Sequence, residues 1–256
     1  MANTPKAKPA AKAAKSSKKK PASARAPAAH TAKHSATRTA VLVLGMHRSG
    51  TSFVTRLLSL AGCALPATLI AASPTNPAGH WESRAVQSFN DKVLASIGSR
   101  WDDWGTIDPS WFGTPQAAEL RVEAQALLVA EFGDAPLFVL KEPRICRLVP
   151  FWLEVLQTAG IAVKIVSVLR HPLETAASLE RRNAMPFAAG QALWLRYVLD
   201  AEKFSRGTVR VFIHYNDLMQ DWAGTLARLD GALGDVLPLK SAAIAGEAEA
   251  FLAPGL

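Results

Sequence analysis

Ala40-Val-Leu-Val-Leu-Gly-Met-His-Arg-Ser-Gly-Thr-Ser-Phe-Val-Thr-Arg-Leu-Leu58 decides the fold. Val41 to Leu44 form an uninterrupted apolar run, as a central parallel strand buried on both faces requires. Gly45 and Gly50 bracket a four-residue loop, and Thr51-Ser52 open an amphipathic helix. A loop that enters a helix N-terminus presents backbone N–H groups with no intrahelical partner and the positive end of the helix dipole. Together these make an anion site.

The spacing G-x-x-x-x-G is that of the phosphate loop of nucleotide triphosphatases, which continues with Lys and then Ser or Thr. Here Thr51 stands where that Lys belongs, which argues against an ordinary kinase or ATPase. The positive side chain appears earlier, at Arg48.

A second strand–turn–helix lies about 120 residues downstream, in Val163-Lys-Ile-Val-Ser-Val-Leu-Arg-His-Pro-Leu-Glu-Thr-Ala-Ala-Ser178. Pro172 suits a first helical turn, where its missing N–H costs nothing. Arg170 closes the strand and Ser178 follows eight positions later.

His47-Arg-Ser-Gly-Thr-Ser52 resembles the 5′-phosphosulfate loop of the sulfotransferases that use 3′-phosphoadenosine 5′-phosphosulfate (PAPS), and the Arg170/Ser178 pair is similar to their 3′-phosphate site. The resemblance spans roughly residues 39–220. It includes Val211-Phe-Ile-His-Tyr-Asn-Asp-Leu218 and the strand end Leu137-Phe-Val-Leu-Lys-Glu-Pro-Arg144. It departs at the C-terminus: Phe251-Leu-Ala-Pro-Gly-Leu256 lacks the Gly-rich basic segment with which many cytosolic members also grip the 3′-phosphate.

The resemblance implies a sulfuryl donor, PAPS, and a hydroxyl acceptor that is a carbohydrate or other small metabolite. It implies donor binding by Arg48, Ser49, Gly50, Thr51, Ser52, Arg170 and Ser178. Arg48 takes the position of a catalytic Lys or Arg and neutralises charge; Lys141 is a second candidate cation and a candidate proton donor to the leaving oxygen. Glu82 is the candidate base, with His80 its rival, while His47 is read as structural.

Each assignment has a plainer alternative. Arg170 could pair with Glu174, Ser178 could be an ordinary helix residue, and Glu82 could be a charge at a helix N-terminus. The Trp101–Trp111 segment could stack on sugar rings, or could clamp an irregular insertion onto the core, the reading preferred here. Two other functions compete: a degenerate phosphate-loop kinase of a small molecule, and a non-catalytic binding protein whose basic tail contacts nucleic acid.

Strands alternating with helices predict an α/β three-layer sandwich with a central parallel sheet, like that of phosphate-loop nucleotide triphosphatases. Strands are expected at 137–141, 163–169 and 209–214. Helices are expected at about 116–132, 147–159, 172–183 and 187–205, another carries Val86 to Ile97, and one or two short helices end the chain. Both phosphate motifs then sit at the carboxyl edge of the sheet, where open α/β sheets bind ligands.

The charge of +8 is uneven. Residues 1–40 hold eight Lys, two Arg and no acid; the remaining 19 basic and 21 acidic residues leave −2. Residues 1–38 are Ala-, Lys-, Pro- and Ser-rich and are expected to be a disordered tail before the domain at 39–256. The tail reads either as an electrostatic tether to nucleic acid or an anionic membrane, or as a solvated or non-native extension, which the composition favours. It lacks the apolar core of a secretory signal. Nor is there an apolar run of membrane-spanning length. Cys63 and Cys146 suggest neither a disulfide framework nor a metal site, so a reducing, cytoplasmic setting is expected.

Overall fold

A computed structural model describes residues 37–73, 76 and 79–252. Residues 1–36, which hold nearly all of the expected disordered tail, lie outside the described residues.

Four strands form one parallel sheet: β1 (Thr39–Leu44), β2 (Leu137–Lys141), β3 (Ala162–Leu169) and β4 (Val209–His214), in the order β2-β1-β3-β4. Nine α-helices are described: α1 (Thr51–Leu60), α2 (Arg84–Ser96), α3 (Pro115–Phe132), α4 (Val149–Thr158), α5 (Pro172–Asn183), α6 (Phe187–Phe204), α7 (Tyr215–Gln220), α8 (Trp222–Leu233) and α9 (Ser241–Leu252).

Side chains of a strand alternate between faces. Ala40, Leu42 and Leu44 of β1 pack against Val86, Phe89, Leu128, Trp152 and Tyr197 of α2, α3, α4 and α6. Val41 and Val43 pack on the opposite face with Phe53 and Leu57 of α1, Leu229 of α8 and Ile244 of α9. The result is the three-layer α/β sandwich. Both faces of β1 are buried, which is why its sequence is a run rather than an alternation.

The strand order explains where a ligand can sit. The chain leaves β1 toward β2 on one side and leaves β3 toward β4 on the other. The loops after β1 and β3 therefore diverge and leave a crevice at the carboxyl edge, the switch point of an open sheet.

Two stretches differ from expectation. The helix expected at 147–159 is α4, and a 3-10 turn that was not expected, Pro143–Arg147, precedes it. Glu142 caps that turn by accepting from the Arg144 amide at 3.2 Å. The C-terminal part holds three helices, because Asp221 ends α7 and its carboxylate caps α8 through the Gly224 amide at 2.8 Å. No helix among the described residues is long and apolar enough to cross a membrane.

Candidate active site

The loop after β1 turns on two positive-φ residues, Arg48 (φ 69°) and Gly50 (φ 87°). Gly50 meets two requirements: a Cβ there would overlap the Tyr215 ring, and its φ suits glycine. The backbone of Gly50 accepts from the Phe53 and Val54 amides at 3.1 and 3.3 Å, which starts α1. The amides of Thr51 and Ser52 make no hydrogen bond among the described residues, as expected for a first helical turn. Ser49 is 1% exposed, and its hydroxyl is also without a partner.

Arg48 joins the two motifs. Its Nε donates to the Ser178 hydroxyl on α5 at 2.9 Å, and its carbonyl accepts from the Arg170 guanidinium at 3.1 Å. Arg170 also pairs with Glu174 at 2.8 Å and lies over the Tyr215 ring, 4.5 Å from its centroid. The pairing with Glu174 and the convergence on Arg48 therefore coexist. Burial, with Arg170 and Arg181 nearby, lowers the Arg48 pKa from its usual value.

These residues open onto a cavity of about 590 Å³, lined by Arg48, Gly50, Thr51, Ser52, Arg170 and Tyr215. His47, His80, Glu82, Trp101, Arg144 and Arg182 also line it. Four guanidiniums and one carboxylate face a shared space, a charge pattern suited to an anionic ligand.

Glu82 and His80 both reach this cavity. Glu82 Oε1 accepts from Lys141 Nζ at 2.6 Å, and its Oε2 has no hydrogen-bond partner among the described residues. The Lys141 ammonium is fully buried and lies behind the cavity wall, donating also to the His80 carbonyl and, at 3.3 Å, to the Ser52 hydroxyl. Burial lowers its pKa from the usual lysine value, and Glu82 opposes that shift. The Ser52 hydroxyl in turn donates to the His80 carbonyl at 2.9 Å. In this arrangement Ser52 turns its hydroxyl proton toward the protein, leaving its amide and that of Thr51 as the donors aimed outward.

The His80 ring shares a hydrogen bond of 3.2 Å with Ser73. Burial holds its pKa below the usual imidazole value, opposed by Glu82 and reinforced by Lys141, Arg182 and Arg48. His47 stands edge-on to Trp101, ring centres 5.1 Å apart, and its Nε2 is buried without a partner. Burial, then Arg144 and Arg182, hold it well below the usual value, so its ring is neutral.

The Trp-rich segment divides its work. Trp101 lines the cavity, and its carbonyl accepts from the buried Tyr197 hydroxyl at 2.6 Å. The fully buried Arg147 pins the segment by donating to the carbonyls of Asp103 and Gly105, while pairing with Asp200 of α6 at 2.8 Å. Trp104 is 52% exposed. Sequence reasoning did not single out Arg182 or Tyr215 as site residues. Arg182 carried a usable signal, since it follows Ser178 by one helical turn on the same face.

Among the described residues no group of three or more His, Cys, Asp or Glu could hold a metal ion. Two solved structures are similar in fold. One is the sulfotransferase domain from the Synechococcus PCC 7002 olefin synthase, with TM-score 0.47 and 15% identity, covering 81% of this chain and 76% of that one. The other is the sulfotransferase domain from the curacin biosynthetic pathway, with TM-score 0.44 and 16% identity, covering 77% and 74%. No protein-family model matches the chain, and no curated protein matches it in sequence.

Proposed function

We propose that this chain transfers a sulfuryl group from PAPS to the hydroxyl of a small acceptor, a carbohydrate or other metabolite. The observation that carries the reading is the convergence of Arg170 and Ser178 on Arg48 across the switch point, beside a helix N-terminus with outward amides.

The residues present fit such a donor. Bound PAPS supplies the sulfuryl group and a phosphate leaving group. The Thr51 and Ser52 amides are assigned as donors to the 5′-phosphate end, since both residues line the cavity and neither amide has a partner among the described residues. Arg170, which lines the cavity, and Ser178, which holds Arg48, are assigned to the 3′-phosphate, where a planar guanidinium makes a two-pronged contact. Arg48 lies between them and stabilises charge that develops during transfer; being permanently protonated, it does so as a fixed cation.

Glu82 accepts the acceptor's proton through Oε2, while Lys141 fixes the carboxylate and the Ser52 hydroxyl from behind. Lys141 thus acts as a positioning residue, since it does not line the cavity. His80, neutral beside Glu82, is the alternative base.

Calorimetry tests the donor assignment. The protein should bind adenosine 3′,5′-bisphosphate in preference to ATP-Mg. Arg170→Ala should weaken the bisphosphate by about 2–4 kcal/mol and leave adenosine 5′-phosphosulfate nearly unaffected. Preference for ATP-Mg would replace this reading with the kinase one. Equal losses for both nucleotides would take the 3′-phosphate away from Arg170.

A further inference from the structure

The C-terminal end of α5 reaches the cavity, through Arg182 and Asn183. Glu174, Ser178 and Arg182 follow at four-residue intervals, so each lies one turn, about 6 Å, beyond the last. Glu174 holds Arg170, Ser178 holds Arg48, and Arg182 comes next, on the side of Ser178 away from Arg170.

Arg182 differs from the other three guanidiniums in the cavity. Arg170 has Glu174, Arg144 has Glu142 and Asp91, and Arg48 has Ser178. Arg182 pairs with no carboxylate among the described residues; its one hydrogen bond, at 2.6 Å, goes to the side chain of Asn183. It is half-buried, and the charges that act on it are Arg48 and Arg144 against Glu82 alone. Holding a desolvated cation near two others is unfavourable unless an anion joins it. The donor phosphates do not answer this, because their donors lie toward Arg170 and the α1 terminus. Arg182 lines the cavity together with Trp101, Arg144 and Glu82, and Glu82 and Arg144 lie near enough to act on its charge.

We infer that Arg182 is a specificity residue for the acceptor, and that the acceptor carries an anionic group, a carboxylate or phosphate, besides the hydroxyl that faces Glu82. This rests on the transferase reading above. It narrows the acceptor to hydroxylated anions and disfavours neutral sugars. Trp101, which lines the same cavity, offers an apolar surface to the carbon skeleton between the two groups.

The test is calorimetric. Wild type, Arg182→Met and Arg182→Lys, each saturated with adenosine 3′,5′-bisphosphate, are titrated with glycerol, glycerate and glycerol 3-phosphate. Wild type should bind at least one of the two anions about 10- to 100-fold more tightly than glycerol, the scale of one hydrogen-bonded charge pair. The anion that gains more identifies carboxylate or phosphate. Arg182→Met should abolish the preference and Arg182→Lys should retain part of it, with bisphosphate affinity unchanged in both. The inference is overturned if wild type shows no preference for either anion, or if the preference survives in Arg182→Met. It is also overturned if Arg182→Met weakens the bisphosphate as much as the anion, which would place Arg182 in the donor site. Should wild type bind no bisphosphate at all, the donor assignment alone fails, and the same titrations without nucleotide still decide the role of Arg182.

Discussion

The contact between Glu82 and Lys141 makes the obvious test of a base ambiguous. Lys141 is fully buried, so Glu82→Gln leaves an ammonium without its counter-charge, at a cost of about 3–5 kcal/mol. Loss of turnover in that variant would mix chemistry with destabilisation. Glu82→Gln combined with Lys141→Met removes both charges and should recover most of the stability in urea unfolding. If Glu82 is the base, turnover in the double variant stays down by about 10²-fold or more while nucleotide affinity holds; recovered turnover would transfer the role to His80. A different residue-scale effect concerns His47. Its folded-state pKa lies well below the ordinary value near 6.5, so the unfolded chain binds the proton more readily. Its contribution to stability is therefore complete above about pH 6.5 and is lost as the pH falls below that value. The melting temperature of wild type should fall more between pH 7.5 and 5.5 than that of His47→Phe. Equal falls would show that His47 is not the group responsible.

Elements were legible where their signal was local. All four strands lie within about two residues of expectation; β1 and β2 are short buried apolar runs, while the edge strand β4, largely exposed, still carries β-branched and aromatic residues. The Pro143–Arg147 turn was not legible, because Glu142 caps its start and Pro at a first turn reads the same in either helix type. The loop between β1 and α1 was legible for the same local reason, a strand, a Gly-bounded turn and a helix in register. The partnership of Glu82 with Lys141, 59 positions apart, has no local signature; it arises where the end of β2 meets the residues just before α2. The anchoring of the Trp-rich segment is likewise a long-range property. Arg147, fully buried, joins the turn before α4 to Asp200 of α6 and to two carbonyls of that segment. Arg147→Ala should therefore cost about 3–5 kcal/mol in urea unfolding, as expected for breaking a buried pair. Arg196→Ala, which removes a partly exposed pair to the same Asp200, should cost about 1 kcal/mol or less. Equal costs for the two would mean that the segment is held by its aromatic packing instead.

At the scale of the whole molecule, charge is separated between two places. Residues 41–256 sum to −2, yet four arginines face one cavity at the carboxyl edge of the sheet. The strong positive field of the chain is thus local to the cavity, apart from the ten basic residues among the first forty. These two sources of anion attraction should be separable. Counterion release makes polyanion binding by a run of Lys and Arg fall steeply with salt. Anion capture by placed guanidiniums and amides depends on geometry and is screened less when the groups are partly buried. Deleting residues 1–36 removes nine of the ten basic residues and none of the packed core. The truncated chain should keep the wild-type melting temperature and bind adenosine 3′,5′-bisphosphate with unchanged affinity. Any binding of the full chain to a DNA duplex should drop sharply between 50 and 200 mM salt, roughly tenfold or more if several phosphates are neutralised, and should vanish on truncation. DNA binding that persists in the truncated chain at 200 mM salt would make the Arg-lined cavity a nucleic-acid surface and count against a small-molecule site. Bisphosphate affinity lost with the tail would mean that the cavity is completed by residues before Thr37.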